Sequence, residues 1–198
     1  MLIRRSPFAA ARWLVVVGAL GAGVTFSGSA AALPLVGVSA SLRALYGFAL
    51  GDSQRVQANG AGGSSVASDW DPYHLGLGVR AGVTISSIYA GASFDYFVAE
   101  TTHVSGIEVS GGRTQLMANL GYDIGLPLLT LRPFLGIGYA GTQIDSNAGS
   151  NASKKEVVVA PGAEVLVSLG LLNISGELRY NWASADALIV GIGAGISF

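Results

Sequence analysis

Residues 173–182 read NISGELRYNW, and their alternation decides the fold. Ile174, Gly176, Leu178, Tyr180 and Trp182 share one parity, while Asn173, Ser175, Glu177, Arg179 and Asn181 take the other. A repeat of two belongs to an extended strand, whose successive side chains point to opposite faces. One face of this stretch is apolar. The other is polar and carries a carboxylate and a guanidinium near its middle.

The same pattern recurs along the chain. Val36–Leu50 sets Val36, Val38, Leu42, Tyr46 and Phe48 against Gly37, Ser39, Ser41 and Arg43. Tyr73–Ile85 sets Tyr73, Leu75, Leu77, Val79 and Val83 against His74, Gly78, Arg80 and Thr84. Ile88–Val98 opposes Ile88, Phe94, Tyr96 and Val98 to Tyr89, Ser93 and Asp95. Leu116, Leu120, Tyr122 and Ile124 oppose Gln115, Asn119 and Asp123, and in LRPFLGIGYAG the residues Leu131, Leu135, Ile137 and Tyr139 oppose Arg132. Val157, Val159, Val165, Val167 and Leu169 oppose Glu156, Glu164 and Ser168. The last stretch, LIVGIGAGISF, alternates Leu188, Val190, Ile192, Ala194, Ile196 and Phe198 with Ile189, Gly191, Gly193, Gly195 and Ser197. With NISGELRYNW this makes eight strands and no helix in the region after residue 32.

The connections also alternate. Gly51–Asp71, Ala99–Gly112 and Gln143–Lys155 are long and rich in small polar residues; Ser86-Ser87, Pro127-Leu128 and Gly170-Leu171 are tight. Ser184–Asp186 is short where a long connection is due. Gly170 at the first position of its turn suits a type II′ hairpin. Such alternation belongs to an up-and-down sheet with unlike rims.

Composition chooses between the two faces. Charged residues are 12% of the chain, about half the usual share, while mean hydropathy is +0.53. Past the N-terminus, no run reaches the ~20 apolar residues of a spanning helix. A soluble barrel buries its apolar face and wets the other; a membrane barrel does the reverse. A wetted face should be about 25–35% charged. Here it is mostly Gly, Ser, Ala and Asn with isolated charges, which suits a narrow lumen. Tyr46, Phe48, Tyr73, Phe94, Tyr96, Tyr139, Tyr180 and Trp182 fall toward the long-connection ends, as an interfacial girdle would. Backbone in hydrocarbon must be fully paired, so the sheet must close, with its last strand on its first.

The N-terminus has a separate character. Arg4, Arg5 and Arg12 precede an apolar stretch, Trp13–Val24, and Ala30–Ala32 offers a small-residue cleavage site. Residues 1–32 are expected to be a signal peptide and residues 33–198 the barrel. The absence of cysteine excludes disulfides and thiolate metal sites. A net charge of −1 with no basic stripe argues against nucleic-acid binding. His74 and His103 are the only histidines and form no metal-ligand spacing, so neither a metal nor a cofactor is expected.

The signal peptide, the alternating strands, LRPFLGIGYAG, ISGELRYNW and the final GISF resemble the small outer-membrane β-barrels of the OmpA/OmpX type. The resemblance covers nearly all of Leu33–Phe198 and rests on pattern rather than on a sharp motif. It implies an eight-stranded antiparallel transmembrane barrel in the bacterial outer membrane, a monomer surrounded by lipid and lipopolysaccharide. It also implies that Ile192, Ile196 and Phe198 on the last strand are read by the barrel-assembly machinery. Larger members carry a peptidoglycan-binding domain that this sequence lacks, so cell-wall anchoring is not carried over.

The tight turns set registers. If Leu169 faces Leu172, Glu164 faces Glu177, and two opposed carboxylates repel. Arg179 is then diagonal to Glu164, with Arg43 and Arg80 at similar depth. The same arithmetic puts Asp123 opposite Arg132 and Arg80 diagonal to Asp95. A catalytic carboxylate pair is one reading of such geometry. An ion-pair cluster of all eight residues is the expected one, because an unpaired buried charge costs several kcal/mol. Eight strands leave room for little besides side chains, so the lumen is expected to be plugged.

The expected role is structural or surface-interacting, not enzymatic. Three alternatives stand beside it. His103, Ser105 and the nearby Glu108 superficially resemble the His-x-Ser pair of lipid A deacylases, which would make the protein a lipid A-modifying enzyme. The barrel could instead be a narrow channel for small solutes, or a soluble lipocalin-like binder.

Overall fold

A computed structural model of the chain describes residues 36–50, 54–59, 65–70, 73–98, 102–104, 107–146, 151–184 and 186–198. The expected signal peptide lies outside the described residues. The described strands are β1 (Val36–Ala49), β2 (Gln54–Asn59), β3 (Ser65–Trp70), β4 (Leu75–Ile85), β5 (Ile88–Val98), β6 (Thr102–Val104), β7 (Ile107–Tyr122), β8 (Ile124–Gly125), β9 (Thr130–Ser146), β10 (Asn151–Leu169), β11 (Leu172–Asn181) and β12 (Ala187–Ser197).

Eight of these form one antiparallel ring in the order β1, β4, β5, β7, β9, β10, β11, β12. The ring closes because β12 returns to β1, with Leu42 opposite Ala194 and Tyr46 opposite Val190. At the seam Val38 N donates to Phe198 O at 3.0 Å, and Phe198 N donates to Val38 O at 2.9 Å. No edge of the wall is left open between these strands. A closed ring is the one sheet form that satisfies its own backbone where no water can.

The tight turns follow from local chemistry. Gly170 has φ +74° and Leu171 does not share a positive φ, which is the type II′ pattern. Ser86 takes the same role with φ 58°. The turn at Pro127-Leu128 is closed by Leu126 N donating to Leu129 O at 2.8 Å.

The long connections differ from expectation. β2 and β3 pair as a separate hairpin within Gly51–Asp71. β6 and the first residues of β7 occupy part of Ala99–Gly112, and β9 and β10 run on to Ser146 and from Asn151. Glycine-, serine- and asparagine-rich segments show no apolar period to read. In β7, β9 and β10 the pairing propagates from the ladder below, where each added pair satisfies two more backbone groups.

The two faces of the wall are inverted relative to a soluble protein. Leu77 on the outside is 69% exposed, whereas Arg179 on the inside is 1% exposed. Leu42, Leu116, Leu120, Ile137, Ile174, Leu178 and Ile192 are also exposed outward. Phe198 and Ile196 face out at the tight-turn end of β12. In water, each such side chain left uncovered forgoes about 1.5–3 kcal/mol of burial; hydrocarbon removes that deficit.

One girdle expectation fails. Tyr73 is fully buried in the lumen rather than exposed on the rim. It precedes the first residue of β4, so the pleat does not govern its direction. Its ring packs edge-on to Phe97 at 5.4 Å instead.

The outward face makes a test. Leu42 lies midway along the apolar side of β1, and Leu42→Arg should destabilise the barrel in phospholipid vesicles by about 2–4 kcal/mol. Reversible urea unfolding measures it; a loss below about 0.5 kcal/mol would mean that this face does not meet hydrocarbon.

Candidate functional site in the lumen

Inward parity delivers charges from most of the wall to one level. β1 supplies Arg43, β4 Arg80, β5 Asp95, β9 Arg132, β10 Glu164, and β11 both Glu177 and Arg179; Asp123 sits in the break between β7 and β8. All but Asp123 are buried.

These eight residues form one continuous chain of ion pairs. Arg132 holds Asp123 through Nε at 2.5 Å and Nη2 at 2.9 Å, and reaches Glu164 at 3.2 Å. Arg80 bridges Glu164 at 3.1 Å and Glu177 at 2.9 Å. Arg43 bridges Glu177 at 2.5 Å and Asp95 at 2.6 Å. Arg179 closes a loop, with Asp95 at 2.6 Å and Glu177 at 3.2 Å. Four guanidinium groups thus meet four carboxylates, and the layer has no net formal charge.

Glu164 and Glu177 do lie directly opposite each other across β10 and β11. Arg80 relieves their repulsion by entering between them from β4. Two pairings differ from the diagonals drawn from register. Arg80 does not pair with Asp95, and Arg179 does not pair with Glu164. Register describes neighbours along the wall, whereas an arginine is long enough to reach across a narrow lumen to other strands.

Glycine makes the space for this. A Cβ at Gly78 would collide with the Asp95 carboxylate and come within 3.2 Å of Arg43 Nη2. A Cβ at Gly193 would meet Ser175 Oγ at 2.6 Å and Arg43 Cγ at 3.0 Å. Aromatic rings cover the remaining cation faces: Arg132 lies 3.9 Å from the Tyr89 ring centroid and Arg80 4.8 Å from that of Phe134.

Toward the long connections the lumen becomes apolar, with Leu45, Tyr73, Phe97, Ala187 and Ile189 packed together. Gln115 ties this plug to the charges below. It donates to Tyr73 Oη at 3.2 Å and accepts from Asn181 at 3.0 Å and from Arg179 at 3.4 Å. At the same end Arg113 pairs with Glu156 at 2.6 Å and lies 4.6 Å from the Tyr73 ring centroid. Glu156 also accepts from the backbone N and hydroxyl of Ser184, fastening the short connection onto the wall.

Sequence reasoning missed Arg113 and the roles of Gln115 and Glu156. The signal was present: Arg113 has the parity of Gln115, two residues before it, just past a stretch that reads as loop. His103 lies in β6, where it pairs through the backbone with Glu108, and Ser105 lies outside the described residues. Among the described residues no group of His, Asp and Glu is placed to hold a metal ion.

No protein-family model matches the chain, and no curated protein sequence matches it either. Solved structures do. Ail, the attachment invasion locus protein of Yersinia pestis, is 16% identical over 83% of this chain and 99% of that one, with a TM-score of 0.56. Neisserial surface protein A is 12% identical over 82% of this chain and 95% of that one, with a TM-score of 0.54. A major outer membrane protein from Thermus thermophilus is 12% identical over 81% and 99%, with a TM-score of 0.50. The chain therefore has the fold of the small outer-membrane β-barrels.

Removing one acid tests the network. Glu177→Gln leaves Arg43, Arg80 and Arg179 one carboxylate short, and unfolding in detergent micelles should show a loss of about 3–5 kcal/mol. Adding Arg80→Gln should restore part of it, with a coupling of about 0.5–3 kcal/mol. Strictly additive losses would mean that the two side chains do not interact.

Proposed function

We propose that this chain is an integral protein of the bacterial outer membrane with a structural or surface-interaction role, its lumen closed to solutes and its long connections presented outside. One observation carries the reading: the inversion of the wall, with an apolar exterior around a neutral ion-pair layer spanning the lumen. Residues that link six of the eight barrel strands, and Asp123 just past a seventh, by side-chain pairs resist being parted, so the layer acts as a cross-brace rather than as a filter. The apolar plug above it is a second barrier in series. The neighbouring folds support the compartment, because Neisserial surface protein A and the major outer membrane protein of Thermus thermophilus are named for it.

Two experiments test this. In membranes from a Gram-negative host the protein should resist carbonate extraction and migrate faster on a gel before boiling than after. Planar bilayers containing the same protein should show no stable, large conductance. Release by carbonate would refute the membrane reading, and steady conductance would refute the closed lumen alone.

We also propose that the barrel is not an enzyme. The side-chain groups that the lumen gathers are neutralised in pairs, and no nucleophile stands beside a free base among them. Lipid A mass spectra from cells producing the wild type and Ser105→Ala should be identical to each other and to those of cells without the protein. A mass loss of one acyl chain that depends on Ser105 would overturn this.

A further inference from the structure

Among the residues whose side chains are described, Lys155 is the one charge with the outward parity of the barrel wall. It continues the parity of Val157, which is exposed to the outside, two residues nearer the long connections. Its neighbour Lys154 takes the other parity and is engaged at the rim, donating to Ser184 at 2.7 Å and standing 3.9 Å from Glu156. Lys155 forms no such contact with a described residue.

The surroundings of Lys155 are open in two directions. On β9 it faces Gly141, which has no side chain, and Tyr139 is its diagonal neighbour. On the other side the last described bridge of β10 is Val159 to Trp182, so among the described residues no strand flanks Lys155 there. Tyr139 and Trp182 are 71% and 59% exposed on the outer face. A lysine thus sits just above the Tyr139 ring, with Trp182 one outward position lower still, on a wall whose other described outward side chains carry no charge.

Height places this group. Outward apolar residues on β10 run from Leu169 to Val157. At about 3.3 Å per residue and a tilt near ~40°, they cover roughly 30 Å along the barrel axis. That matches the hydrocarbon thickness of a bilayer. Lys155 then lies about 5 Å beyond it, at the level of lipid headgroups, where tyrosine and tryptophan rings also collect. An unpaired ammonium there, at the end of a flexible stem, is matched by an anion of the lipid.

We propose that Lys155, one outward position beyond the level of Tyr139 on β9 and two beyond that of Trp182, docks a phosphate of lipid A, the phosphorylated disaccharide lipid of the outer leaflet. This rests on the outer-membrane reading, since long connections of such barrels face outward. Phosphate supplies the counter-charge that no described residue gives Lys155. The exposed rings give the sugar a flat surface, so the site favours a phosphorylated glycolipid over a plain anionic phospholipid.

The test uses the full-length protein, matured and folded in the host membrane, then exchanged into mixed micelles with lipid A, phosphate-free lipid A or phosphatidylglycerol, and examined by native mass spectrometry. The wild type should retain lipid A in preference to both other lipids. Lys155→Gln should retain about fivefold less of it, the effect of one interfacial cation, while Lys155→Arg should resemble the wild type. Equal retention by wild type and Lys155→Gln would overturn the proposal, as would equal retention of phosphate-free lipid A or phosphatidylglycerol. The heat-dependent gel shift is recorded for each sample. Its absence in the wild type signals failure of the membrane-barrel reading itself; a normal shift with no lipid preference condemns only the docking site.

Discussion

Closure of the sheet is the constraint on which everything else depends. A strand wall facing hydrocarbon has no water to receive its backbone N–H and C=O groups, and each unpaired group there costs several kcal/mol. The ring of β1, β4, β5, β7, β9, β10, β11 and β12 leaves none of its members as an edge. The seam between Val38 and Phe198 shows how far this goes, since the final residue still exchanges both of its backbone groups with β1. Alternation follows from closure: in a closed wall every side chain must be either outside or inside, with no third place.

Charge belongs inside on these terms. The exterior offers neither water nor partners, whereas the lumen brings charges of six strands, and Asp123 beside a seventh, within reach of one another. An arginine on one wall can satisfy carboxylates on two others, as Arg43 does with Asp95 of β5 and Glu177 of β11. Neutrality of the layer matters as much as its distances. An unmatched charge at that depth would have to be desolvated without compensation, at a cost greater than a typical pair returns.

The barrel was legible because period-two alternation is strong wherever apolar residues mark one face. NISGELRYNW needs no context to be read as a strand with two faces. Registers at Gly170-Leu171 and Pro127-Leu128 could be counted outward from the turns, and they place Glu164 against Glu177 and Asp123 against Arg132. Legibility failed where the physics is not local. Glycine- and serine-rich stretches pair with their neighbours without any apolar rhythm, which hid the extensions of β7, β9 and β10. Tyr73 obeys tertiary packing against Phe97 rather than the pleat. The choice of Arg80 for Glu164 and Glu177 depends on the width of the lumen, which no single strand encodes.

The lumen is graded from end to end, and the grading explains where its charges lie. Inward-facing Ser39, Ser41, Thr84, Gly193 and Ser197, near the tight turns, remain half-buried, whereas Leu45, Phe97, Val158 and Ile189, near the long connections, are fully buried. Among the described residues, solvent thus reaches further into the lumen from the tight-turn side. Along the ion-pair chain, side-chain exposure falls from 17% at Asp123 to 2% at Glu164 and 0% at Asp95. The number of arginines on each acid is larger inside than at the exposed end. Asp123, nearest to water, is held by one arginine, while Glu177 and Asp95, deeper in, are held by three and two. Desolvation is least costly where water still reaches, so one partner suffices there. The buried carboxylates Glu164, Asp95 and Glu177 each meet at least two arginines, and beyond them the apolar plug is crossed by one more pair, Arg113 with Glu156.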